Sequence, residues 1–203
     1  MGEGVGTARG SVGEHRLQDR YGTTERAERF YDQQVLDHLN ERMREFVGRQ
    51  EMMFVATADA DGACDSTFRA GPPGFVHVAG PRQVLWPEYR GNGVMASLGN
   101  IGENGNVGLL FVDFVRDVIG LHVNGRAGIV EDALARSEYP GLPLDTVPGR
   151  RAERWVVVDV EEAYIHCSKH IPRLRKVPGG RAWGTDDTRR KGGDFFGAAA
   201  AAA

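Results

Sequence analysis

Between Asp65 and Asn106 the chain gathers the side chains best suited to hold a phosphorylated ligand. Arg69 and Arg90 carry guanidinium groups, whose planar forks grip a phosphate through paired hydrogen bonds. Arg90 opens the loop Arg90-Gly91-Asn92-Gly93, which runs into a helix expected from Val94 to Glu103. A helix N-terminus adds unpaired amides and the positive end of a dipole, so Asn92, Gly93 and Ser97 can act on the same anion as the arginine. Upstream, Gly71-Pro72-Pro73-Gly74 interrupts the strand pattern before Phe75, Val76 and His77 resume it. Trp86 and Pro87 end the next short strand. These are the parts of a phosphate cradle. The plain alternatives are a solvated loop arginine at Arg90 and ordinary sheet packing for Phe75 and Trp86.

Other chemistries find no matching set of residues. The order of a Ser-His-Asp triad, a Walker loop and a close carboxylate pair are all missing from the sequence. His166 and His170 stand four apart, a spacing that puts two imidazoles on one helix face, with Cys167 beside them. No acidic third ligand stands at a useful spacing, so no metal site is expected. A bound cofactor can carry the chemistry that the side chains lack.

Positioning the cradle requires strands. Met52–Ala58 and Ala63–Phe68 flank Asp59-Ala60-Asp61-Gly62, a strong hairpin signal. Phe75–Val78 and Gln83–Trp86 are joined by a Gly80-Pro81 turn, and Asn106–Phe114 reads as a buried strand. Ile119, Leu121 and Val123 alternate with smaller and polar residues, and the apolar pattern resumes from Ala127 to Val130. This predicts one long strand bent by a glycine bulge at Asn124-Gly125. A short helix from Asp132, a loop from Tyr139 to Pro148, and a strand from Trp155 through Tyr164 to Cys167 complete the pattern.

Ahead of the strands, Leu36, Leu39, Met43, Phe46 and Val47 share one stripe at helical spacing, with Phe30 before them. The spacing predicts a single helix from Thr23 or Thr24, closed by Gly48. The expected organisation is a flexible arm over residues 1–22, one domain over 23–177 and an irregular tail over 178–203. The alanine run from Ala198 is set aside. Six or seven strands with few helices indicate a mostly β, α+β chain forming a small antiparallel barrel with helical covers.

Bulk composition narrows the partners. At 203 residues with 41% hydrophobic and 26% charged side chains, the chain suits one soluble domain with a real core. A net charge of −3 without a basic stretch argues against nucleic acid. No apolar run approaches the roughly 18 residues of a membrane span, and the first residues lack a signal-peptide core. Cys64 and Cys167 match no zinc or redox spacing, which suggests reduced thiols and a cytoplasmic protein.

With the strands in place, the residues resemble the pyridoxamine 5′-phosphate oxidase-like family of FMN-binding split barrels. Within it they are most similar to a branch of uncharacterised flavoproteins with the pattern D-x-S-P-R-G-x-P-P-G-F-V. That pattern stands here as Asp65 to Val76, with Phe68 in place of the proline beside Arg69. Pro87-Glu88-Tyr89-Arg90-Gly91-Asn92 loosely matches P-x-R-x-G-N, and Ser97 to Phe111 matches S-L-x-N-I-x-E-N-P-x-V-G-L-L-F, with Gly105 where proline is usual. V-N-G-R-A is unbroken from Val123 to Ala127, and H-C-x-K appears as His166 to Lys169. A further departure is Val112 to Val118, where the family has a glycine- and proline-containing turn.

The resemblance implies a split β-barrel, FMN as cofactor, and a homodimer with FMN in clefts at the interface. It places Arg69, Arg90, Asn92, Gly93 and Ser97 at the phosphate, and Phe75, Val76 and His77 along the flavin ring. Trp86 and Pro87 would border the ribityl chain, and Lys169 and Arg173 would reach toward the partner chain's flavin. It further implies an oxidoreductase moving hydride between a small-molecule substrate or NAD(P)H and flavin N5. Vitamin B6 is not the expected substrate, because Arg173-Leu174-Arg175 lacks the matching histidine. The alternatives are a barrel using the deazaflavin F420 or haem, and a flavin-binding or storage protein without turnover.

Overall fold

Period-two alternation of apolar residues builds the larger of two units in the computed structural model, Asp37–Ala203; the smaller is Met1–Leu36. The structure describes residues 9–147, 149–177, 179, 183–185 and 187–201.

The small unit contains α1 (Val12–Tyr21), α2 (Thr24–Gln34) and a two-residue strand, β1 (Val35–Leu36). Helix α1 lies where the sequence suggests an arm without periodicity. A reciprocal capping box starts it: the Ser11 hydroxyl accepts the Glu14 amide at 3.2 Å, and the Glu14 carboxylate accepts the Ser11 amide. Residues 1–8 of the expected arm lie outside the described residues.

The single helix expected from Thr23 or Thr24 to Gly48 is in fact two. Helix α2 stops at Gln34, and α3 (Glu41–Gly48) begins afresh in the larger unit. Asn40 caps α3 by accepting the Met43 amide at 2.9 Å, a local bond that outweighs the continuing apolar spacing. Gly48 is the last helical residue, and the cap is Arg49 in right-handed geometry rather than a left-handed glycine.

Among the described residues the larger unit holds seven strands: β2 (Met52–Ala58), β3 (Cys64–Ala70), β4 (His77–Gly80), β5 (Gln83–Tyr89), β6 (Asn106–Asp113), β7 (Ile119–Glu131) and β8 (Ala152–His166). Every pairing among them is antiparallel, in the order β3-β2-β6-β7-β8-β5-β4. The order does not close, so β3 and β4 are the two ends of an open, split barrel. Helices α4 (Ala96–Glu103) and α5 (Asp132–Glu138) cover parts of it. Leu98 and Ile101 of α4 and Phe46 and Val47 of α3 join the inward residues Met53, Val55, Leu109, Phe111, Val123, Val156 and Val158 in one core. Each such buried side chain contributes about 1.5–3 kcal/mol of transfer free energy.

Local chemistry explains the bends. The Asp59 carboxylate accepts the Asp61 and Ala63 amides at 3.0 and 2.8 Å, and Gly62 takes φ +85°, which turns β2 into β3. The irregularity falls at the expected place along β7, but the bulged strand is its neighbour β8. The register of β7 against β8 slips between Asn124 and Gly125, leaving Glu161 of β8 as the extra residue. A Cβ on Gly125 would sit 2.0 Å from the Asp159 carbonyl oxygen, so the crossing there requires glycine. Strand β5 runs past Trp86 to Tyr89; β4 pairs with it only as far as Leu85, so Pro87 interrupts no ladder on that edge. No helix among the described residues is long and apolar enough to cross a membrane.

Candidate functional site

The split in the sheet makes the site. Strand β3 sits at one end of the strand order and β5 near the other, yet their side chains meet across the opening. Arg69 of β3 donates from Nε to the Glu88 carboxylate of β5 at 2.8 Å. Trp86 donates its indole N–H to the same Glu88 oxygen at 2.7 Å. Glu88 is 7% exposed and Trp86 1%, so the carboxylate is held by two donors in a nearly dry setting. Removing either ionic partner would leave an uncompensated charge there. Arg69 also donates from Nη1 to the Thr67 hydroxyl at 2.9 Å and to the Phe68 carbonyl at 3.2 Å.

Around this bridge lies a cleft of about 1230 Å³, above the roughly 300–1,000 Å³ of common ligand clefts. Asp65, Thr67 and Arg69 of β3 form one wall, the end of β5 a second, and the Arg90–Gly93 loop with the start of α4 a third. The loop is shaped by the Asn92 side chain, which accepts the Val94 amide at 3.0 Å, and by Gly93 at φ +84°. Met95 precedes α4 at φ +56°, a left-handed position costly for a side-chain-bearing residue. Ser97, buried in the first turn of α4, donates to the Asp65 carboxylate at 2.9 Å.

Charges in the lining balance: Arg69, Arg90 and Arg154 face Asp65, Glu88 and Glu153. An anion therefore finds no general positive field, only the local donors of the loop and helix start. The far wall is aromatic. Trp183 meets the Tyr89 ring edge-on at 6.4 Å, and the Arg150 guanidinium lies 5.5 Å from the Trp183 ring centre. Burial pushes the Tyr89 phenol above its usual range, Asp145 adds to the rise and Arg150 opposes it. The phenol therefore stays a proton donor at neutral pH. A second cleft of about 750 Å³ adjoins the first through Pro87, Tyr89 and Gly149.

Of the positions singled out in the sequence, Arg69, Pro87, Arg90, Asn92, Gly93 and Ser97 line the large cleft. Phe75 lines the second cleft, at 2% exposure, directly after the Pro72–Gly74 turn. Val76 and Trp86 are core residues. His77 is half-buried on β4, where burial holds its imidazole below the ordinary range. Lys169 is exposed in the turn Ser168–His170, and Arg173 donates to the Val115 carbonyl at 3.1 Å; neither lines the cleft. His166 ends β8 and His170 lies in the 3-10 turn, so the two do not share a helix face.

Glu88, Asp65, Tyr89 and Trp183 shape the cleft without being expected from the sequence. Glu88 carried a signal in its alternation with Trp86 on an otherwise apolar strand. Asp65 stood inside the family pattern without an assigned partner. Trp183 stands in a glycine-rich, charged tail with no pattern around it. No group of three or more His, Cys, Asp or Glu among the described residues is placed to hold a metal ion.

Comparison with known proteins places this chain in a family. Residues 39–167, more than half of the chain, match the family model described as pyridoxamine 5′-phosphate oxidase. No curated protein matches. Among solved structures, HupZ of Group A Streptococcus is 20% identical over 68% of this chain and 99% of its own, at a TM-score of 0.44. A pyridoxamine 5′-phosphate oxidase homologue from Lactobacillus delbrueckii is 22% identical over 64% and 98%, at 0.46. General stress protein 26 of Bacillus anthracis is 14% identical over 60% and 88%, at 0.41. Identities and scores this low add nothing to the assignment, which rests on the family match: the chain belongs to the pyridoxamine 5′-phosphate oxidase family.

Proposed function

We propose that the chain is an FMN-dependent oxidoreductase that acts as a homodimer on a small-molecule substrate. The observation that carries this reading is the cleft at the barrel split, where six positions picked from the sequence for a phosphorylated ligand come together. The donor set suits FMN in parts. Arg90 and the amides of the loop and α4 would take the phosphate. The Asp65–Ser97 pair offers an acceptor and a hydroxyl to the ribityl hydroxyl groups. Tyr89, Trp183 and the Val94–Met95 stretch supply apolar surface for a flat ring.

Arg69 has a different role from the one its charge first suggests. Tied to Glu88, it is a strut across the split that fixes the width of the cleft, and its net charge is offset. When bound, the flavin supplies hydride acceptance and donation at N5. The protein's share is to orient the ring, exclude water and offer the Tyr89 phenol as a proton donor at the wall between the two clefts.

The dimer reading is supported by the outer face of the sheet. Phe68, Phe54, Leu110, His122 and Tyr164 stand directly opposite one another across β3, β2, β6, β7 and β8. Phe68 and Phe54 are 49% and 38% exposed, with ring centres 5.6 Å apart. The next row, Ser66, Ala56, Gly108, Asn124 and Glu162, is small and carries one charge, held by Asn124 at 2.9 Å. A broad, nearly uncharged sheet face of this kind suits a second copy of itself. Phe68 also lines the cleft, which links that face to the site.

Absorbance of the purified protein and anaerobic mixing with NADPH or NADH test the reading. A flavin spectrum that bleaches on mixing supports the oxidoreductase. A flavin spectrum that never bleaches reduces the protein to a binder, and a Soret band replaces the flavin with haem.

A further inference from the structure

On the outer face, two imidazoles from neighbouring strands point at each other. His122 Nε2 of β7 and His166 Nδ1 of β8 lie 3.0 Å apart. We propose that this pair is a cross-strand chelate for a divalent first-row transition ion of the Zn²⁺ and Ni²⁺ class.

Distance is the first argument. Two nitrogens bound to one ion at about 2.1 Å, with an angle between 90° and 109°, stand about 3.0–3.4 Å apart. The observed spacing falls at the short end of that range, so the donors can turn onto one ion without moving the strands. Rigidity is the second. The His122 ring stacks on Tyr164 at 4.6 Å and 16°, which fixes its plane. The His166 ring lies over Gly120, where a Cβ would come within 2.9 Å of the His166 Cβ. Glycine at that position makes the room that the second imidazole occupies. Both residues sit on paired inner strands of the sheet order rather than on its edges.

Availability is the third argument. Among the described residues, neither ring has a hydrogen-bond partner except the other. In the hydrogen-bonded pair one ring donates its N–H to the other. Metal binding needs the donor to shift that proton to its remaining nitrogen, a tautomer change without net proton release. No lysine or arginine stands in the two rows around the pair, and the one carboxylate there, Glu162, lies along β8 next to Asn124. With two protein donors the ion keeps water in its remaining positions.

The site does not rest on the flavin, but His122 and Tyr164 stand in the row proposed above for the dimer contact, so the ion would sit within that face. The site is tested by calorimetric titration of the full chain, freed of any histidine tag, with NiCl₂ at pH 7.5. The proposal expects one saturable site per chain. It expects His122→Ala and His166→Gln each to weaken binding at least tenfold, and His170→Gln to leave it unchanged. His166→Gln retains a polar group at the end of β8, which keeps the test valid if His122→Ala fails to fold. Electron paramagnetic resonance of the Cu²⁺-loaded protein should show coupling to two imidazole nitrogens. Absence of saturable binding, or binding that survives His166→Gln unchanged, overturns the site.

Discussion

Strand β3 offers two chemistries to its two sides. Asp65, Thr67 and Arg69 point into the split and carry charge, hydroxyl and hydrogen bonds to α4 and β5. Ser66 and Phe68, one residue out of phase, face outward, and Phe68 begins an apolar row that crosses four more strands. The difference teaches where each kind of affinity resides. The inner side is specific and already internally bonded, so a ligand must compete with the protein's own contacts. The outer side is broad and weakly charged, so its energy comes from area rather than from any one bond.

The contrast can be broken at either side. The largest effect should come from the inner strut. Glu88→Ala leaves Arg69 without its carboxylate and the Trp86 N–H without its acceptor, and should cost about 3 kcal/mol in urea denaturation. A loss under half a kilocalorie would mean that the bridge does not hold the split. On the outer face, Phe54→Asp places a charge in the centre of the row. Light scattering should show a dimer dissociation constant raised by about two orders of magnitude, close to 2.7 kcal/mol, with the fold intact. A dimer that persists would move the interface to another face.

Within the cleft, Arg90→Ala should weaken FMN by about 1.5–3 kcal/mol in calorimetry, the value of a lost charge-assisted bond. Arg69→Lys should instead lower stability more than affinity, because the strut needs the planar fork. The smallest effect concerns pH. His77 and His122 both have depressed values when folded, so below about pH 6.5 the unfolded chain binds more protons than the folded one. Stability should therefore fall as pH drops from 7 toward 5, and His122→Gln should flatten part of that slope. A slope unaltered in the variant would show that His122 titrates normally in the fold.

Legibility in the sequence followed the range of the interactions. The Asp59–Gly62 turn and the register slip at Gly125 are set by side chains within a few residues, and both lie where the pattern indicated. The capping box of α1 was equally local, in Ser11 and Glu14, but its helix lacks an apolar stripe and has no buried residue. The reverse happened between Thr24 and Gly48, where a continuous stripe concealed the cap at Asn40. The site divided along the same line. Arg90, Asn92 and Ser97 belong to one loop and helix start, so that one segment already brings them to one cleft. The Arg69–Glu88 bridge joins strands that are not neighbours in the sheet, and the aromatic outer row depends on four registers at once. Neither is visible before the strands are paired.

The central claim is that the split of the barrel holds FMN by its phosphate. It is tested most directly by calorimetric titration of the full chain with FMN and, in parallel, with riboflavin, which differs only in lacking the phosphate. The account predicts that FMN binds at least tenfold more tightly and that Arg90→Ala removes most of that margin. Equal affinities for the two ligands would contradict it.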